Sequence, residues 1–134
     1  MIAVVCLDDR NGICFNKRRQ SSDRVLCEKL VAVVGNGQLR MNNYSAALFS
    51  DCTDKFVVDE KFWEHTKKDD YCFFEDGTVN EIAATAKQIL VFRWNRQYPA
   101  DTWFLQDHLC NRCMLHTEDF SGSSHERITL EVYQ

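Results

Sequence analysis

The sequence predicts a single α/β domain, residues 1–134, with a mixed central sheet flanked by helices and an antiparallel hairpin at its C-terminal end. Its 134 residues match the commonest size of one domain. In the first part of the chain, apolar runs of strand length alternate with helical patterns, as in a parallel sheet. The last two runs of strand length follow each other directly, which indicates an antiparallel pair.

The start of the chain predicts a strand, a basic loop and a helix. Residues 2–7 (IAVVCL) are a short apolar run typical of a strand buried on both faces. The Asn-Gly pair at 11–12 indicates a turn, and a loop that carries three cations follows it. Ser21, Ser22 and Asp23 are residue types that start helices. We expect one of the two serines to cap a helix that packs on the sheet, with Asp23 inside its first turn.

The remaining elements lead to the C-terminal hairpin. The apolar run at 88–94 (QILVFRW) is the clearest strand, and the Ala-rich segment 79–87 predicts a helix with Asn80 as its cap. We expect His125, in the turn segment SGSSHE, to hydrogen-bond the backbone. The other predicted elements are strands at 39–41, 55–59, 71–75, 113–120 and 127–133 and a helix at 44–51. The predicted core consists of Val4, Val5, Leu26, Leu30, Leu39, Val57, Phe73, Ile89, Val91, Ile128, Leu130 and Val132.

Composition argues against several classes of protein. Hydrophobic residues make up 45% of the chain, which is enough for a packed core. No apolar run reaches the ~20 residues that span a bilayer. A net charge of −4 disfavours broad nucleic-acid binding, which needs a basic surface. The seven cysteines are odd in number, and the start of the chain lacks the basic leader of an export signal. We therefore expect a cytoplasmic protein with reduced cysteines and no membrane partner.

The order of these segments resembles the dihydrofolate reductase family in shortened form. That family opens with an apolar strand, an Asn-containing turn, a mobile loop and a helix whose first turn carries the acid that contacts the pterin. Here IAVVCLDDRNGI, the basic loop and SSDRVLCEKL follow in that order, and Asp23 falls at the position of the acid. LRMNNYSAALF, IAATAKQILVFRW and ADTWFL match later segments. The most specific match is Asp101-Thr102-x-Phe104 followed by Phe120, His125 and Tyr133.

Three departures from the family imply that its cofactor and substrate motifs are degraded. Glu75 and Asp76 stand where a Gly-Gly pair lets the backbone approach the pyrophosphate of NADPH. Asn42-Asn43 replaces a Gly-Arg pair, so a cation that binds phosphate is lost. Phe92 replaces a threonine that supports pterin binding. With these departures, the resemblance implies that no cofactor is bound and that NADPH-dependent reduction of dihydrofolate is absent.

The resemblance further implies a small-ligand cleft near Asp23 and assigns no catalytic residue. If Asp23 faces such a pocket, desolvation raises its pKa; if it is only a helix-start acid, the helix dipole stabilises its charge. We favour a binding or regulatory module, whose partner is a small molecule or a protein, over a residual pterin- or nucleotide-dependent reductase. The implied ligand-binding residues are Asp23, Val5, Asn42, Asn43, Glu75 and Asp76.

The basic cluster Lys17, Arg18 and Arg19 supports the alternative of an RNA-binding or RNA-processing protein. The chain also resembles a small family of Firmicute proteins that carries the name ribonuclease Z, which implies a bacterial source. True ribonuclease Z enzymes hold metal with a clustered His-x-His-x-Asp-His motif, whereas the four histidines here are scattered. Cys110 and Cys113 have the spacing of half a zinc site, but nearby histidines would complete it only in a cramped loop. We therefore expect no metal site, and nucleic acid is a disfavoured partner.

Overall fold

The chain forms ten β-strands and four α-helices, and a computed structural model describes all of residues 1–134. The strands are β1 Ile2–Leu7, β2 Gly12–Phe15, β3 Arg18–Arg19, β4 Leu39–Met41, β5 Phe56–Val58, β6 Tyr71–Phe74, β7 Gln88–Arg93, β8 Thr102–Trp103, β9 Met114–Phe120 and β10 Ile128–Tyr133. The helices are α1 Arg24–Val34, α2 Asn43–Phe49, α3 Val79–Ile82 and α4 Asp107–Cys110.

Seven strands form the central sheet, in the order β5-β4-β6-β1-β7-β10-β9. The first five of these run parallel to one another, whereas β10 is antiparallel to both β7 and β9. The predicted α/β domain with a mixed central sheet and a C-terminal antiparallel hairpin is therefore confirmed. Because β1 lies in the interior of the sheet, its side chains must be covered on both faces.

Two apolar clusters of 15 buried residues each provide that cover. Val4 of β1 packs in one cluster with Leu30 of α1, and Val5 packs in the other. This alternation follows from the two-residue period of a strand. All predicted core residues are buried except Val57 and Val132, which are half-buried. Both lie near an edge of the sheet, on β5 and on β10, the neighbour of the edge strand β9.

The segment predicted as a basic loop is a hairpin. β2 and β3 pair antiparallel, and β8 joins β2 to complete a second, three-stranded sheet. Phe15 pairs with Arg18, and the two residues between them, Asn16 and Lys17, have φ angles of 51° and 59°. Positive φ at both central residues is the geometry of a type I′ turn. The prediction missed this hairpin because lysine rarely adopts positive φ.

The helix predicted over 79–87 is wrong in its second half. α3 spans four residues, and a 3₁₀ turn follows it. Arg112, remote in sequence, donates from Nη2 to the carbonyls of Ala83 and Ala86 at 2.9 and 2.7 Å. These bonds satisfy carbonyls that a longer helix would satisfy internally. The predicted cap, Asn80, instead bonds the backbone of β8 and of the residues just after it.

The helices are short. The longest, α1, spans 11 residues, and α2 spans 7. None of the helices combines the length and the apolarity that crossing a bilayer requires.

Candidate ligand-binding cleft

An open cleft of about 620 Å³ lies beside the carboxyl ends of β4 and β6. The β2–β3 hairpin, the start of α2, the residues after β6 and the segment that enters β8 form its walls. In open α/β sheets, ligands bind in the crevice outside the carboxyl ends of the strands. The residues that line the cleft are Cys14, Lys17, Asn42, Tyr44, Glu75, Asp76, Gly77, Asp101 and Thr102.

Glu75 is held at the inner end of this cleft by an ion pair with Arg19. The guanidinium donates from Nε and Nη2 to the two carboxylate oxygens at 2.8 and 3.0 Å. The hydroxyl of Ser45 donates to the same carboxylate at 2.7 Å, and the guanidinium lies 4.1 Å from the ring centroid of Tyr44. Burial alone would lower the pKa of Arg19, but the hydrogen bond to Glu75 and the negative charge of Glu75 outweigh burial and raise this pKa. The negative charge of Glu75 is therefore balanced by the guanidinium of Arg19 within the protein.

Two further carboxylates, on Asp76 and Asp101, are exposed at the mouth of the cleft. Asp76 accepts one bond, from the backbone N–H of Thr78 at 2.9 Å. Asp101 accepts from the backbone N–H of Asn16 at 3.0 Å and from its neighbour Thr102. Neither carboxylate has an ion-pair partner, so no neighbouring cation of the protein compensates either one at the cleft.

Asp23 caps α1, and neither of the predicted serines does. Its Oδ1 accepts from the backbone N–H groups of Val25 and Leu26 at 2.9 and 3.2 Å. The backbone N–H groups of Ser123 and Ser124 also donate to the carboxylate, at 3.0 and 2.8 Å. Burial alone would raise the pKa of Asp23, but these hydrogen bonds outweigh it and hold the pKa well below its usual value. Of the two alternatives that the sequence left open, the lowered pKa agrees with a stabilised helix-start acid and not with a desolvated carboxylate in a pocket; the loop before β10 adds donors that the local sequence does not show.

His125 lies on the other side of Asp23 and is buried, with 2% of its side chain exposed. Its Nδ1 is 3.1 Å from Asp23 Oδ2. Its Nε2 is 2.9 Å from the hydroxyl of Tyr98 and 3.2 Å from the hydroxyl of Ser21. The ring of Trp94 stacks on the imidazole, with the centroids 4.6 Å apart. His125 is therefore not a surface turn residue, although its own carbonyl does accept from the backbone of the loop.

A second buried carboxylate, on Asp8, had no assigned role in the sequence. It accepts from the backbone N–H groups of Gly12, Arg10 and Tyr98 at 2.7, 2.9 and 3.2 Å. The amide of Gln20 donates to it at 2.9 Å. Burial raises the pKa of Asp8, but the hydrogen bonds outweigh it and lower the pKa. Asp8 ties the hairpin to the loop after β7 and thereby positions the hairpin wall of the cleft.

The cleft brings together some of the predicted site residues and not others. Lys17, Asn42, Glu75 and Asp76 line it, and Arg19 closes its inner end. Asp23 borders a separate groove of about 410 Å³ between α1 and α2. The remaining predicted residues lie outside the cleft: Val5, which is fully buried, and Asn43 and Arg18, which are exposed.

Sequence reasoning did not assign five of the lining residues to the site: Cys14, Tyr44, Gly77, Asp101 and Thr102. The Asp-Thr pair was visible as part of the family resemblance, and this was the signal that could have placed it at the cleft. Burial raises the pKa of the Cys14 thiol, which disfavours the thiolate form that a nucleophile needs. The structure has no group of three or more His, Cys, Asp or Glu side chains arranged to hold a metal ion.

Comparison with solved structures identifies the architecture. No family model matches the sequence, and no curated protein matches it. A dihydrofolate reductase from Enterococcus faecalis, solved in complex with NADP(H) and RAB-propyl, superposes with a TM-score of 0.69. The alignment covers 99% of this chain and 94% of that one. The chain has a dihydrofolate reductase-like fold. Identity to that reductase is 10%, so the likeness establishes the dihydrofolate reductase-like fold and leaves the activity open.

Proposed function

We propose that this dihydrofolate reductase-like domain is a binding module for a small polar molecule that carries a positive charge, and that it does not reduce dihydrofolate with NADPH. The observation that carries the proposal is the open cleft of about 620 Å³ with the unpaired carboxylates of Asp76 and Asp101 at its mouth. A cleft of this size accommodates a small molecule. Its charge favours a ligand with an amine or guanidinium group over a phosphate.

The electrostatic balance of the cleft supports this choice of ligand. Glu75 and Arg19 neutralise each other, which leaves Asp76 and Asp101 against the single ammonium of Lys17. A pyrophosphate in this cleft would meet a net negative wall. Two like charges 4 Å apart repel by about 1 kcal/mol in bulk water and by about 4 kcal/mol near a protein surface. An ammonium at the same distance from a carboxylate is attracted to it by the same amounts.

The RNA-binding alternative has weaker support. Of the three basic residues in the hairpin, Arg19 is committed to Glu75, which leaves Lys17 and Arg18 exposed. Lys17 itself faces the acidic cleft. A cluster of two cations in a chain of net charge −4 gives little counterion release on a nucleic acid.

Titration calorimetry with agmatine, spermidine and NADPH tests the proposal. We expect the two cations to bind and NADPH to show no heat of binding at millimolar concentration. Asp76→Asn and Asp101→Asn should each weaken agmatine binding about fivefold, the equivalent of about 1 kcal/mol. Asp54→Asn, at an exposed position outside the cleft, is the matched control and should leave binding unchanged. Micromolar binding of NADPH, or cation binding that survives both cleft substitutions, would contradict the proposal.

A further inference from the structure

Three side chains outside the cleft, Ser21, His125 and Asp23, form a continuous relay. Ser21 Oγ lies 3.2 Å from His125 Nε2, and His125 Nδ1 lies 3.1 Å from Asp23 Oδ2. We propose that Ser21 is a nucleophile for acyl transfer, with His125 as its general base and Asp23 as the residue that positions the base. A nucleophile, a base and an orienting acid within hydrogen-bond reach of one another are the geometric signature of such a site.

The hydrogen bonds of Asp23 decide which ring nitrogen of His125 carries the hydrogen. Its carboxylate accepts four backbone N–H bonds and is therefore an acceptor only. Nδ1 of His125 must then carry the hydrogen, which leaves the lone pair of Nε2 directed at Ser21. Stacking on Trp94 and near-complete burial hold the imidazole in this orientation.

The hydroxyl of Tyr98 completes the site. It lies 2.9 Å from His125 Nε2 and 3.5 Å from Ser21 Oγ. In the resting state the two hydroxyls share the lone pair of Nε2. Once His125 is protonated, the Tyr98 O–H is free to donate to an oxyanion formed next to Ser21.

The reaction balances without any group that the chain lacks. Ser21 Oγ bonds to the carbonyl carbon of an ester, its proton passes to His125 Nε2, and the carbonyl electron pair becomes an oxyanion held by Tyr98. When the oxyanion collapses, the ester C–O bond breaks and the leaving alkoxide takes the proton from Nε2. Water then attacks the acyl-Ser21 by the same route and releases the acid.

The neighbourhood of Ser21 indicates the kind of acyl group. Ser21 is half-buried and lines a recess of about 10 Å³ together with Gln20, Arg19 and Glu75. Gln20, which lines this recess, has a buried Oε1 with no hydrogen-bond partner. Such an orphan acceptor suits an N–H group, so the substrate class is an ester whose acyl part carries an amide or amine. The recess is too small for an acyl group, and the proposal therefore includes an opening of the Arg19–Glu75 ion pair that borders it.

Mass spectrometry of the full chain after incubation with a fluorophosphonate probe tests the assignment, and turnover of the p-nitrophenyl ester of N-acetylglycine provides a second readout. We expect an adduct on the peptide that contains Ser21, faster labelling in Arg19→Ala, and an unchanged rate in the neighbouring control Ser22→Ala. Ser21→Ala should abolish labelling and turnover. His125→Gln should slow labelling about 100-fold, the loss expected when a general base is removed.

Circular dichroism should first establish that each variant is folded. If the three side chains only clamp α1 to the loop before β10, no adduct forms on Ser21. Absence of the adduct in both the folded wild type and Arg19→Ala would overturn the proposal, as would unchanged turnover in Ser21→Ala. The adduct on wild-type protein distinguishes this proposal from cation binding in the cleft, since Ser21 and His125 do not line the cleft, whereas Arg19→Ala changes both sites through Glu75.

Discussion

Gly122 lies against Asp23 so closely that a methyl group added at Gly122 would overlap Asp23 Oδ2 and lie 2.9 Å from Ile128 Cδ1. The N–H of Gly122 also donates to the carbonyl of His125 at 2.9 Å. The loop between β9 and β10 therefore wraps the start of α1 with its backbone. Only a residue without a side chain fits at the point of closest approach.

Gly122→Ala should destabilise the protein by about 1–3 kcal/mol, the usual cost of forcing an extra methyl group into a packed site. The clash must displace either the Asp23 carboxylate or the loop, because Ile128 closes the other side. Urea denaturation is the measurement. Ser121→Ala, at the exposed neighbouring position, should change the free energy of unfolding by about 0.5 kcal/mol or less. Equal stability of the two variants would show that the loop does not hold Asp23 tightly.

Asp23→Asn should cost about 2 kcal/mol or more at pH 7, because it removes both a helix cap and the charged acceptor of the loop. The folded-state pKa of Asp23 lies below its ordinary value of 3.8. The stabilisation by the carboxylate is therefore complete about one pH unit above 3.8 and is lost as the pH falls through 3.8 toward the folded-state pKa.

The same pH argument makes the Asp23 prediction measurable. The difference in unfolding free energy between wild type and Asp23→Asn should be constant above about pH 5 and shrink below it. Ser22→Ala is the control, since the side chain of Ser22 makes no hydrogen bond and only its carbonyl accepts one. A large loss in Ser22→Ala, or pH profiles of wild type and Asp23→Asn that stay parallel into acid, would contradict the assignment of Asp23 as the cap.

Arg112→Ala should destabilise the protein by about 1–3 kcal/mol, because it leaves the carbonyl of Ala86 without its side-chain donor and removes one of the two donors to the carbonyl of Ala83. Thermal and urea unfolding followed by circular dichroism measure the loss. Arg127→Ala removes a similar charge from an exposed side chain whose ion pair is 3.8 Å long, and should cost about 1 kcal/mol or less. If both arginine variants lose the same stability, the 3₁₀ turn does not depend on Arg112.

The strands of the central sheet could be placed along the chain from the sequence because most of them carry their own apolar run. The run at 88–94 and the two C-terminal runs needed no distant partner to be recognised, and they form β7, β9 and β10. The β2–β3 hairpin and the true length of α3 could not be predicted in this way. The hairpin depends on positive φ at Lys17, and the end of α3 depends on Arg112, which is 29 residues from Ala83.

The candidate site was harder to predict than the fold, because its parts come from distant positions in the chain. Glu75 and Asp76 were recognised from the family resemblance, but the partner of Glu75, Arg19, lies 56 residues away. The direction of the pKa shift of Asp23 stayed open in the sequence, since two of its four backbone donors, Ser123 and Ser124, lie 100 residues or more along the chain. Local sequence shows a carboxylate and its helix, but not the loop that closes over it.

The last prediction concerns the ion pair at the inner end of the cleft. Arg19→Gln removes the cation that neutralises Glu75, so the cleft gains one negative charge. Agmatine should then bind about fivefold more tightly, the equivalent of about 1 kcal/mol, and added salt should reduce the gain. Arg18→Gln removes an exposed cation outside the cleft and should change affinity much less, which separates a local effect from a change in net charge. Titration calorimetry at two salt concentrations decides the matter. Weaker binding in a folded Arg19→Gln variant would mean that Arg19 holds Glu75 in the geometry the ligand needs.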